Sequence, residues 1–190
     1  MHTRLFLTVL FVVVAFIFGI VASPYLEAPR HELAEWAARP FMPAARSKSI
    51  TLYFSSSQEE FLVPTKRDIS AIGSIENQMK AVMEELIKGP DTEEELTPTL
   101  SPSTTIRGIY TRQETAYVDL TRAFASEQPG GTTGELMSIY SVVNTLLENF
   151  PQYSQVQLLL EGKPEPTLAG HIDLRYPFFY TNSMVRPADM

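Results

Sequence analysis

"TTGELMSIYSVVNTLLENFPQYSQVQLLLEG", from Thr132 to Gly162, places a helix and a strand in direct succession. Leu136, Ile139, Tyr140, Val143, Leu146, Leu147 and Phe150 recur at helical spacing, so one apolar stripe faces a core. Thr132 and Glu135 have the spacing of a capping box, and Pro151 stops the helix. "VQLLLEG" then reads as a strand, Gly162-Lys163-Pro164 as a turn, and "TLAGHIDL" as a further extended piece that closes the fold.

Working back from this stretch, "TIRGIYTRQETAYVDLT" reads as a hairpin. In its second strand Ala116, Val118 and Leu120 share one face, and Tyr117, Asp119 and Thr121 share the other. The acidic, proline-rich "DTEEELTPTLSPSTT" before it reads as a surface loop. A second amphipathic helix precedes that loop. Ser74 caps it, Ile75, Met79, Val82, Met83, Leu86 and Ile87 form its stripe, and Gly89-Pro90 ends it. "ITLYF" alternates Ile50, Leu52 and Phe54 as a strand, while Pro64 restricts "EEFLVPTKRDIS" to an edge strand or loop. Two amphipathic helices on one face of a small mixed sheet satisfy every stripe, which predicts a two-layer α+β sandwich over residues 49–176.

Upstream of this body the composition changes. "LFLTVLFVVVAFIFGIVA", from Leu5 to Ala22, spans about 27 Å as a helix, nearly a bilayer core. That length favours an uncleaved anchor over a signal peptide, whose apolar region is about 7–15 residues. Arg4 before the segment, with Glu27, Arg30 and Glu32 after it, favours a cytoplasmic N-terminus. The expected location is a single pass through the inner membrane, with the body on the periplasmic side, or export if the segment is cleaved. Residues 1–22 are thus the anchor or signal. Residues 23–48, with Pro24, Pro29, Pro40 and Pro43, form a linker in which "RHELAEWAAR" has the pattern of a short helix. Residues 177–190 are a C-terminal tail.

The chain has no cysteine, which removes disulfides, thiolate metal sites and cysteine nucleophiles. A net charge of −7 argues against nucleic acid.

The order of elements and the landmarks "ITLYFSSSQEEFLVPTKRDI", "MEELIKGP", "AYVDLTRAF", "MSIYSVVNTLLENFPQYSQVQLLLEGK" and "TLAGHIDL" resemble the GerMN domain family. The resemblance implies a small extracytoplasmic α/β module with a ring-building-like fold. It implies a place among sporulation and germination proteins and exported lipoproteins, a role in envelope assembly, and no catalytic residues. The chain departs from the family in carrying one module with a hydrophobic anchor in place of a lipidated cysteine.

Chemistry is sparse. His171 and Asp173 point to one face of an extended run, but zinc needs at least three protein ligands, and His2 and His31 lie outside the body. No metal or other cofactor is expected. Glycoside-type hydrolysis needs two carboxylates in one cleft, which directs attention to Asp119, Glu135, Glu161 and Asp173. Asp119 sits inside a strand, where Asp is disfavoured, and the bland reading is that its face of the sheet is solvated or that its oxygens receive backbone donors of the "TRAF" turn. A nucleophile elbow and a phosphate loop are both absent from the sequence. In the tail, Phe178, Phe179 and Tyr180 either wrap onto the core or meet a partner.

Residues and resemblance together predict a non-enzymatic envelope module that binds other envelope or membrane proteins or a second copy of itself. Its contact residues are drawn from Asp119, Glu161, His171, Asp173, Phe178 and Phe179. The alternative is a protein that binds peptidoglycan or a muropeptide, up to weak hydrolysis. That alternative requires Asp119, Glu161 and Asp173 to share a cleft.

Overall fold

The computed structural model describes residues 47–58, 60–70, 72–91, 95–127 and 131–187, all within one compact unit. The expected anchor at 5–22 and linker residues 23–46 lie outside the described residues. Among the described residues no helix is long and apolar enough to cross a membrane.

Strands β1 (Ser47–Ser56) and β2 (Leu62–Ser70) form an antiparallel hairpin, and β3 (Leu96–Thr97) adds to the far end of β1. Between β2 and β3 lies helix α1 (Ile75–Lys88). Ser74 caps it by accepting the Asn77 N–H, and Gly89 follows its last residue with φ at 87°, a conformation that favours glycine. Arg67, from β2, donates to the Glu85 and Gly89 carbonyls at the same helix end and pairs with Glu85 and Asp91.

Strands β4 (Ile106–Arg112) and β5 (Thr115–Leu120) form the expected hairpin. A short helix α2 (Ala123–Ser126) follows, then helix α3 (Thr132–Asn149). Strand β6 (Gln155–Leu160) returns parallel to β5, and β7 (Phe178–Phe179) pairs antiparallel with β6. Their inward residues Ile109, Val118, Leu120, Val156, Leu158 and Leu160 join Ile50, Leu52, Phe54, Met79, Leu86, Val143 and Leu146 in one core.

Two sheets are present where one mixed sheet was expected: β2-β1-β3 and β4-β5-β6-β7. The reason lies in α3, which contacts β1 in the first sheet and β6 and β7 in the second. Its apolar residues meet the core, while Ser141, Thr145 and Asn149 turn to the open edge of β1. Ser141 Oγ donates to the Tyr53 carbonyl at 2.6 Å, and Thr145 Oγ1 accepts the Tyr53 N–H at 3.1 Å. A helix therefore closes β1 where a strand of the second sheet would have joined it.

Four local expectations change. Gly131, and not Thr132, is the N-cap of α3, with no side-chain capping bond, because Glu135 turns inward. Part of the acidic loop belongs to the fold, since Thr99, Leu100 and Thr104 are buried. "TLAGHIDL" is no closing strand, holding a single bridge between Thr167 and Asp173; β7 closes the sheet instead. β1 begins at Ser47, ahead of the boundary at 49. Of the two readings of the tail, Phe178, Tyr180, Met184 and Val185 take the wrapped one. Asn144 binds both the N–H and the carbonyl of Thr181, and Leu62 bonds Met184 and Arg186.

Candidate functional site

At one end of β5, Asp119 is buried although it belongs to the outer row of the sheet. Its Oδ1 accepts the Gly162 N–H at 2.7 Å, so the donor comes from the turn after β6 and not from "TRAF". That turn is tight: Glu161 has φ at 53° and Gly162 at 82°. The register shift between Ile106 and Gly108 marks a bulge at Arg107, a place where a strand re-aims a side chain. Arg107 lies 3.1 Å from Glu161 Oε2 and 3.8 Å from Asp119 Oδ2. Glu161 Oε1 accepts the Arg122 N–H at 3.0 Å, and the Arg122 guanidinium pairs with Glu165 at 2.9 Å. Asp119 and Glu161 are thus brought together, with an arginine between them.

Asp173 is engaged by a different arginine, Arg175. Its oxygens accept three bonds from the Arg175 guanidinium and a fourth from the Arg175 N–H. These bonds hold its carboxyl down to about 2. A general acid needs the opposite shift.

His171 finds its partner in Glu135, a candidate carboxylate whose spacing from Thr132 also fits a helix cap. Glu135 is fully buried and accepts the N–H groups of Leu168, Ala169, His171 and Ile172, all at 3.0–3.1 Å. His171 Nδ1 adds a contact at 3.1 Å. Burial pushes the carboxyl up, but the Ala169, Ile172 and His171 donors outweigh it and hold Glu135 below the ordinary carboxylate range. This buried acid organises the whole segment from Leu168 to Ile172. Its signal in the sequence was an acidic residue among the apolar positions of an otherwise buried helix.

In β7, Phe178 packs edge-on against Tyr140 and joins the core, whereas Phe179 is 60% exposed. Register sets Phe179 in a row with Gln155, Thr115 and Arg112 on the outer face of the second sheet. The next row holds Tyr110, Tyr117 and Gln157, and the third Gly108, Asp119 and Leu159. Tyr110 is 58% exposed, and its ring lies over Gly108.

A cavity of about 230 Å³ opens elsewhere, between Ser55, Thr97, Pro98, Thr133 and Met137. None of the predicted site residues lines it. Among the described residues no group of three or more histidines and carboxylates is placed to hold a metal ion.

Comparisons with known proteins agree with this architecture. The tandem GerMN domains of the sporulation protein GerM from Bacillus subtilis match with a TM-score of 0.57 at 18% identity, over 79% of this chain and 51% of that one. The chain therefore spans about half of that two-domain structure. The first GerMN domain of the same protein matches with a TM-score of 0.53 at 17% identity, over 72% of this chain and 98% of that one. A protein described as a lipoprotein, from Clostridium perfringens, matches with a TM-score of 0.52 at 19% identity, over 70% of this chain and 87% of that one. At these identities the likeness is one of fold. No curated protein sequence matches. The family described as "Germane: Sporulation and spore germination" matches residues 51–166, more than half of the chain. The chain belongs to the Germane family, the sporulation and spore germination domains of GerMN type.

Proposed function

We propose that this protein is a non-enzymatic interaction module of the bacterial cell envelope, held in the inner membrane by residues 5–22 with its body on the periplasmic side. The observation that carries the non-catalytic reading is the fate of its carboxylates. Asp119, Glu135, Glu161 and Asp173 each spend their oxygens on backbone donors, arginines or a histidine of the same chain. The apolar run from Leu5 to Ala22 supports the anchor, and the family supports a role in sporulation or germination. The succession α1-β4-β5-α3-β6 supports reading that half of the body as a ring-building-like assembly unit.

Fractionation of cells, followed by cross-linking of the intact envelope and identification of captured proteins, tests this reading. Recovery in the membrane fraction with a reproducible envelope partner is expected. A chain found in the cytosol, or one in the membrane that captures nothing, overturns it. Incubating the chain with purified sacculi addresses the alternative: cosedimentation favours peptidoglycan binding, and released fragments favour hydrolysis.

A further inference from the structure

Beside the main core lies a second, smaller apolar cluster. Its walls come from three elements: Tyr53 of β1, Leu62 of β2, and Met137 and Tyr140 of α3. All four residues fall within the stretch 51–166 that matches the family. The residues that cover them, Tyr180, Met184 and Val185 of the tail, lie outside it. Tyr53, Leu62 and Met137 are buried beneath this cover, yet none of the residues from 180 to 187 is itself buried. The module thus owns an apolar groove, and the tail is laid over it.

The bonds that seat the cover are those of an added strand. Leu62 donates to the Met184 carbonyl at 2.7 Å and accepts the Arg186 N–H at 2.9 Å, in a parallel bridge with Val185. Asn144 holds the Thr181 N–H at 3.1 Å and its carbonyl at 2.9 Å. Pro64, the next outward position of β2, has no N–H, so pairing stops there and the register is fixed at Leu62. All four bonds read main chain alone, and another segment can supply them. Side-chain selection falls to a few positions. The Tyr180 hydroxyl lies 2.9 Å from that of Tyr53, Met184 and Val185 enter the groove, and Arg186 donates to Ser56 Oγ at 3.1 Å. Main-chain bonds with pockets for a few side chains are the physics by which a peptide adds to a sheet edge.

We propose that this groove docks a segment of a partner protein of the envelope, which adds to β2 at Leu62, and that the tail from Tyr180 to Arg186 is a plug the partner displaces. The plug states the chemistry of the partner: a tyrosine, two adjacent apolar residues further along, and a cation directly after them. Such a segment gains the same main-chain bonds and the same apolar contacts, while the plug competes for them from within the chain. The competition sets a threshold, because only chains with the plug detached are open to the partner. The tail of a second copy is chemically identical to the plug and competes at a disadvantage with one already tethered. The proposal rests on the interaction reading above and names its surface and the chemistry of its partner.

The test uses the full-length chain in detergent and a labelled peptide with the sequence from Phe178 to Pro187. Residues paired on neighbouring strands lie about 4.8 Å apart, within the span of a disulfide. Leu62→Cys combined with Val185→Cys therefore locks the plug, in a chain that has no other cysteine. The oxidised form is expected to bind the peptide about tenfold more weakly than the reduced form, because the lock removes the open fraction. Equal binding in the two forms overturns the proposal. Met184→Ser combined with Val185→Ser loosens the plug and is expected to bind the peptide about tenfold more tightly than the wild type. A folded variant that binds no better overturns the proposal as well. Oxidation to covalent dimers in place of the internal bond assigns the groove to a second copy and overturns the foreign partner. In cells, a locked chain that captures the same envelope partners as the wild type overturns docking in the groove and leaves the interaction reading standing. A wild-type chain that captures nothing overturns both.

Discussion

Asn149 pairs with Thr51 as a neighbouring strand would: its amide nitrogen donates to the Thr51 carbonyl at 2.6 Å, and its oxygen accepts the Thr51 N–H at 2.9 Å. Two residues along β1, Tyr53 has the same service from Ser141 and Thr145. The match is geometric. Four helical residues rise about 6 Å and two strand residues about 6.7 Å, so side chains at i and i+4 keep step with alternate peptides. Helix and strand run in opposite directions along this seam, since Thr145 to Asn149 maps onto Tyr53 to Thr51.

Thr145→Val keeps the shape of the side chain and removes its acceptor. Thr145 is fully buried and Tyr53 is 3% exposed, so water cannot replace the lost bond. A loss of about 1–3 kcal/mol is expected, with Thr145→Ser recovering most of it. Urea unfolding measures the difference, and an unchanged midpoint in Thr145→Val would remove the edge-closing role.

The buried acid predicts a pH response. Glu135 is held below its ordinary range in the folded state, so the unfolded chain binds its proton more readily. The resulting stability is fully present above the unfolded carboxylate range, about 4.3, and is lost as pH falls through the lower folded value. Glu135→Gln is expected to be less stable at neutral pH and to show a shallower decline between about pH 5 and about pH 3. Urea midpoints across that window provide the comparison. Parallel declines in both proteins would assign the acid sensitivity to other groups.

The turn of the second hairpin offers a gain. Gln113 adopts φ at 54° while fully able to point into solvent, and nothing in its surroundings requires a side chain there. Gln113→Gly relieves the left-handed strain and is expected to add about 0.5–1 kcal/mol. A lower melting temperature in this variant would show that the turn is not strained.

Ending the chain after Tyr176 removes β7 together with the bonds to Asn144 and Leu62. It also uncovers Tyr53, whose hydroxyl lies 2.9 Å from that of Tyr180 and whose phenol is pushed upward by burial and by that bond. A loss of about 3 kcal/mol or more is expected, as for other ruptures of buried networks. Amide exchange at Leu62 is the local readout, since its N–H donates to Met184 at 2.7 Å. Retained protection there would make the tail an appendage after all.

The sequence was most legible where partners are local. The Ser74 cap, the Gly89 stop and the alternation of the hairpin all act within a few residues, and all stand in the structure. Partners far along the chain were not legible. The separation of Thr51 from Asn149 is 98 residues, and nothing near Asn149 announces that its amide serves a strand. A signal was nevertheless present in Ser141, Thr145 and Asn149, polar residues four apart on a helix that also carries a continuous apolar stripe. Glu135 misled for a related reason. Its spacing from Thr132 fits a cap, yet a loop rich in free N–H groups binds a carboxylate more strongly than one helix terminus does. Among the candidate residues, Asp119 and Glu161 meet through Arg107, a contact created by a bulge that residue pattern does not reveal.

The closure of β1 also orders events in time. Tyr53 bonds Thr145, 92 residues later, and Ser56 bonds Arg186, 130 residues later. A polypeptide emerging N-terminus first therefore presents its opening strand long before anything exists to close it. Such distant pairings fold slowly and leave apolar surface open in the interval. Ile50, Leu52 and Phe54 are the residues at risk during that wait, and they reach shelter only when α1 and α3 have both been made. For this protein, the opening strand waits on a helix made 92 residues later.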